Sequence, residues 1–143
     1  HNGTLDKYTG DGLVAFWGAP LPCPEQADQA AAAALDIVRG LAELNQQRAA
    51  DGLSPLRVRI GIESGQALVG DLGTSFRSSY TAVGDCINFA SRLEAAARTL
   101  PADIVIGSAA AARMTQHTLI PLGCIQLRGT EAMMEVYTVG RTH

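Results

Sequence analysis

The sequence predicts an α+β domain. Three observations carry this: a strand, turn and strand pattern over residues 5–18, helical spacing of small apolar residues after Pro24, and a strand-like segment from Tyr80 that passes through Gly84 into a helix. With 143 residues and 47% hydrophobic content the chain can bury a sizeable core as one soluble domain.

Residues 5–18 read as a hairpin whose tight turn is Gly10-Asp11-Gly12. Ala19 to Pro24 is a stiff turn. Pro24-Glu25 opens a long helix, with proline at a favoured first-turn position and acids near the amino end. Ala27, Ala30, Ala31, Ala34, Val38, Leu41 and Ala42 follow helical spacing, and such small side chains suit close approach to a sheet. The helix is expected to end before Asp51-Gly52, and residues 56–62 alternate as a strand. A turn at Ser64-Gly65 leads to residues 67–70, and residues 73–79 are polar and glycine-containing, so they read as a loop or hairpin tip with Phe76 on it. After the helix that follows Gly84, a short buried strand is expected over 103–107, a short capped helix over 108–114, and closing strands over 119–127 and 136–139. There is no internal repeat, low-complexity tract or second domain.

Composition narrows the classes of function. No apolar run approaches the roughly 20 residues that span a bilayer, and no signal-peptide pattern opens the chain. A formal charge of −3 offers no electrostatic case for nucleic acid or an anionic membrane. Cys23, Cys86 and Cys124 lie far apart without metal-ligand spacing, which fits reduced thiols in a cytoplasm, and His1, His117 and His143 have no neighbours that suggest a metal site.

Two segments carry chemistry. On the helix after Gly84, Asn88 and Arg92 stand one turn apart, and Cys86, Ala90, Leu93 and Ala97 form an apolar stripe on roughly the opposite side. An amide beside a guanidinium suits a ligand with hydroxyls and phosphate, because arginine presents a fixed fork of charged donors. The alternative is an exposed face holding a salt bridge. At the hairpin tip, Asp11 is either a turn former or a hard oxygen ligand for magnesium.

Together with 58–65, 69–73 and the late Leu127-Arg128-Gly129, these segments resemble the catalytic domain of the class III nucleotidyl cyclases, in the bacterial, threonine-bearing adenylyl branch. The resemblance runs over essentially the whole chain. It implies a ferredoxin-like βαββαβ core with additional C-terminal strands, read as one partial catalytic domain over 1–143. It also implies a head-to-tail dimer, as a homodimer or with a second cyclase domain, that holds ATP and two Mg2+ or Mn2+ ions in the cleft between protomers. Residues 73–79 would then correspond to an arm reaching across the dimer, with Phe76 an interface anchor. Asp11 matches a metal-binding aspartate, Lys7 the lysine that donates to adenine, and Thr81 the position that reads the purine amine, where a hydroxyl accepts as a carboxylate would. Guanylyl cyclases resemble one another in carrying glutamate and cysteine at the last two positions, so the Lys7 and Thr81 pair argues for ATP. Asn88 matches the residue that positions the ribose, and Arg92 the one that stabilises charge on the α-phosphate. Arg128 stands where the family usually has a lysine on the terminal phosphates, a change that keeps charge and alters hydrogen-bond geometry.

One departure stands out. The family begins with a strand carrying a further metal aspartate and a phosphate-binding loop, whereas this chain opens at His1-Asn2-Gly3 with the hairpin already imminent. The resemblance therefore implies an N-terminally truncated domain that is incomplete for activity alone. The implied reaction is adenylyl cyclisation in cytoplasmic signal transduction, with a sensory or membrane module outside this chain. The alternatives are a cyclase-homology module that binds nucleotide without catalysis and a pure dimerisation domain.

Overall fold

The computed structural model describes residues 3–9, 12–19, 22–71, 80–126 and 133–139. Strands β1 (Thr4–Thr9) and β2 (Gly12–Phe16) form the expected hairpin, with Thr9 opposite Gly12 and a register shift between Leu5 and Lys7 that leaves Asp6 bulged. Helix α1 (Gln26–Ala50) follows. Its end is set by Gly52 at φ +74°, where Leu53 N–H donates to the Arg48 carbonyl and Gly52 N–H to that of Ala49, the paired bonds of a Schellman cap.

Next come β3 (Ile60–Ile62), β4 (Leu68–Asp71), β5 (Tyr80–Val83), α2 (Asp85–Ala96), β6 (Ile104–Ile106), α3 (Ser108–Arg113), β7 (Leu119–Gln126) and β8 (Met133–Val139). The order from β1 to β3, two strands, a helix and a strand, is the ββαβ portion of a βαββαβ core, and β7 and β8 are the additional C-terminal strands. Among the described residues the strands bond as three sheets: the hairpins β1-β2 and β4-β5, and a four-stranded sheet in the order β3-β6-β8-β7. In that sheet β3 and β6 run parallel, and β8 is antiparallel to both of its neighbours.

Alternation along β6 builds two cores, one on each face of the larger sheet. Ile104 and Ile106 join Ala27, Ala31 and Ala34 of α1, Ile62, Ala110, Ala111, Met114 and Val139 on one side. Val105 joins Leu93 and Ala97 of α2 and Val136 on the other, with Phe89, Leu122, Ile125 and Met134 packed around them.

Three local expectations need correction. The strand anticipated over 56–62 is regular only at Ile60–Ile62, because β6 offers three residues to pair with and the Leu56 backbone bonds instead to the Asn45 side chain through both its N–H and its carbonyl. Ala42 is exposed: α1 leaves the sheet after its first turns, and Ile37 and Leu44 are 48% and 44% exposed. Helix α3 starts on Gly107, which has no side-chain cap to give, and Ser108 donates its hydroxyl to the Glu135 carbonyl. The cap comes from another strand's end, since Glu63 Oε1 accepts from the N–H groups of Ala110 and Ser64, each at 2.9 Å. The loop expected at 73–79, with Phe76, lies outside the described residues.

A polar staple holds α1 against the segment that follows α3. Asp28, 3% exposed on the buried face of α1, accepts from the N–H groups of Thr115 (3.0 Å) and Gln116 (3.1 Å) and from the Thr115 hydroxyl, with His117 Nδ1 2.9 Å from Oδ1. Burial alone would raise the carboxyl's pKa, but the bonds from His117, Thr115 and Gln116 outweigh it and hold the group below its ordinary value of 3.8. A carboxylate favoured by folding contributes fully above that value, and the contribution is lost as pH falls through the lower folded pKa. Asp28→Ala leaves buried donors unpaired and is expected to cost about 3 kcal/mol at neutral pH. Urea unfolding at pH 7 and at pH 3 checks this: the gap to the unaltered protein should narrow in acid, and a gap that does not change with pH would refute the charge-based account.

Candidate functional site

Helix α2 and its approach strand hold the site together. The chain leaves β5 at Val83 and turns through Gly84, whose φ of 168° is extended backbone open to any residue. Space is what requires glycine here, since a Cβ would lie 2.8 Å from the Gln66 carbonyl oxygen and 3.1 Å from Ala67 Cα. Farther along, α2 rests directly on β3. A Cβ at Gly61 would run into the carbonyl oxygen of Ala90 and lie 2.5 Å from the backbone nitrogen of Glu94.

This seating decides which way each α2 side chain faces. Leu93 and Ala97 are fully buried, while Asn88 on the other side is exposed and Arg92 partly buried. Among the described residues neither Asn88 nor Arg92 has a hydrogen-bond or ion-pair partner, so the salt bridge considered from sequence is not formed among them. The guanidinium of Arg92 lies over the Phe89 ring, 5.6 Å from its centroid.

The two hairpins set the strands of two more expected residues side by side. Strand β1 lies against β5, which sets the strand that carries Lys7 (opposite Val14) beside the strand that carries Thr81 (opposite Gly70). Asp11 falls between Thr9 and Gly12 in sequence, and it lies outside the described residues, as does Arg128. Among the described residues no group of three or more His, Cys, Asp or Glu side chains could hold a metal ion, a statement that does not extend to Asp11. Its carboxylate is the hard oxygen donor that magnesium prefers.

Phe89, Glu63 and Asp28 were not singled out by sequence reasoning. Phe89 could have been found from its spacing of three residues before Arg92, which puts both on one helix face. Glu63 and Asp28 gave no such sign, because their partners lie 47 and at least 87 residues away. An open groove of about 480 Å3, lined by Pro55, Leu56, Arg57, Pro101, Ala102 and Asp103, contains none of the expected site residues. Elsewhere, at the start of α2, burial pushes the Cys86 thiol upward, which does not favour an activated nucleophile. No helix among the described residues is long and apolar enough to cross a membrane.

Comparison with known proteins places this geometry in context. A family model for the adenylate and guanylate cyclase catalytic domain matches residues 7–140. Adenylate cyclase 1 of Rhizobium meliloti is 34% identical over 140 residues, covering 97% of this chain and 21% of that protein, so the chain spans about a fifth of its length. Among solved structures, the adenylyl cyclase CyaB from P. aeruginosa superposes with a TM-score of 0.86 at 29% identity, covering 99% of this chain and 73% of that one. The guanylyl cyclase Cya2 does so with a TM-score of 0.82 at 30% identity, covering 96% and 69%.

The seating of α2 can be tested without any ligand. Gly61→Ala should force α2 away from β3 and cost about 2 kcal/mol, in line with other overpacked contacts. Chemical unfolding measures this, and a change below about 0.5 kcal/mol, the level of an indifferent surface substitution, would show that the contact yields easily.

Proposed function

The chain belongs to the adenylate and guanylate cyclase catalytic-domain family, and from that membership we propose that it converts ATP to 3′,5′-cyclic AMP and pyrophosphate. The observation that carries this reading is the free polar face of α2. Asn88 and Arg92 present an amide and a guanidinium side by side with no partner among the described residues, while β1 and β5 bring the strands of Lys7 and Thr81 together. Relatives include both adenylyl and guanylyl cyclases, so the choice of base rests on Lys7 and Thr81. Lys7 donates to a ring nitrogen of adenine, and the Thr81 hydroxyl accepts from its exocyclic amine. Guanine offers a carbonyl there and would leave donors and acceptors mismatched.

Asn88 holds the ribose so that its 3′-hydroxyl faces the α-phosphorus, an intramolecular attack in which positioning supplies much of the rate. As the new P–O bond forms and the bond to the β-phosphate oxygen breaks, Arg92 stabilises the charge that gathers on the α-phosphate oxygens. Arg128 receives the terminal phosphates, which leave as pyrophosphate. Asp11 would hold a divalent cation, one of two Mg2+ or Mn2+ ions, which when bound supplies charge neutralisation at the phosphates. The site is shared across a head-to-tail dimer: Asp11 of one protomer acts with Lys7, Thr81, Asn88 and Arg92 of the other. The domain works in cytoplasmic signalling as part of a longer protein.

The full-length protein should produce cyclic AMP from ATP and little cyclic GMP from GTP, with magnesium or manganese. Arg92→Ala should lower kcat by about a hundredfold or more, as for loss of other transition-state donors. Silence with both nucleotides in a folded dimer would replace this reading with a nucleotide-binding module that does no chemistry. The shared site has its own check. Asp11→Ala and Arg92→Ala proteins, each inactive, should regain part of the activity when mixed, and absence of recovery in demonstrated heterodimers would rule that arrangement out.

A further inference from the structure

We propose that Phe89 is a positioning residue for Arg92, holding the guanidinium ready on the α2 face before nucleotide arrives. The inference rests on the proposed function and adds to it a residue that contacts no substrate. Arg92 sits on a long side chain whose freedom must be surrendered before its donors can act. The structure meets that requirement with the Phe89 ring, whose centroid is 5.6 Å from the guanidinium carbon. Attraction to a ring face recruits the positive charge without using an oxygen acceptor. Among the described residues the Arg92 fork accordingly has no hydrogen-bond or ion-pair partner, and it stays available for phosphate.

Phe89 can serve as a platform because it is anchored itself. Its ring is partly buried against the core of Leu93, Ala97, Val105 and Val136. Side-chain position on one turn of α2 is thus tied to β6 and β8 beneath it, and that helix is seated on Gly61. An aliphatic residue at 89 could fill the same core space, but it would offer no face to a cation.

The test uses the full-length protein and combines kinetics with a probe that needs no turnover. Phe89→Leu should lower kcat for cyclic AMP formation about tenfold, the scale of one such contact, with KM for ATP within about twofold. Phe89→Tyr, which keeps the ring, should retain most of the rate. Combined with Arg92→Ala, Phe89→Leu should add no further loss, because the two residues act as one unit. In ligand-free protein the Arg92 side-chain N–H resonances should carry a ring-current shift that vanishes in Phe89→Leu and persists in Phe89→Tyr. A full rate in folded Phe89→Leu, independent losses in the double variant, or no ring-current shift in the unaltered protein would each overturn the proposal. If the unaltered protein makes no cyclic nucleotide, the proposed function fails, and the ring-current shift still decides whether Phe89 holds Arg92.

Discussion

Helix α2 lies on β3 at a distance that only a residue without a Cβ permits. At Gly61 the strand backbone meets the backbone of Ala90 and Glu94, and any side chain would have to occupy the space the helix already fills. This contact sets the height and rotation of α2, buries Leu93 and Ala97 over Val105 and Val136, and turns Asn88 and Arg92 outward. The entry to the helix is constrained in the same way at Gly84, pressed against the chain at Gln66 and Ala67. A site built on one helix face inherits its precision from such backbone contacts, which are stiffer than contacts between long side chains.

The other face of the sheet uses a different means to the same end. The alanines of α1 allow close approach over β3 and β6, but they bury little surface each. The Asp28 staple to Thr115, Gln116 and His117 and the Glu63 cap on α3 supply directional bonds there. Both carboxylates sit where backbone N–H groups converge, so each satisfies donors that would otherwise be buried without partners. The two halves of the molecule are thus joined through β6, which gives Ile104 and Ile106 to one core and Val105 to the other.

Much of this was legible in the chain, for identifiable reasons. The hairpin of β1 and β2 and the passage from β5 through Gly84 into α2 follow from local rules, namely turn residues at the right spacing and a change of apolar period. So does the α1 terminus, where Gly52 takes a positive φ. Alternation at 56–59 reports what a strand could do, whereas pairing depends on a neighbour, and β6, parallel to β3, begins only at Ile104 opposite Ile60. The source of the α3 cap was not legible, because sequence shows only candidate caps nearby and Glu63 comes from another strand's end.

For the candidate site, the sequence by itself determined the kinds of residues and their local spacing. Asn88 and Arg92 share a face of any helix built on residues 85–96, and the order of motifs suffices to identify the cyclase family. Helical geometry and chain order are local properties, so no tertiary information was needed. Only the tertiary structure decided that this face has no internal partner among the described residues, that the strand of Lys7 lies beside that of Thr81, and that Phe89 sits beneath the Arg92 guanidinium. Those facts depend on close approach between segments far apart in the chain. Packing against glycine backbones settles such approaches, and neither periodicity nor composition encodes them.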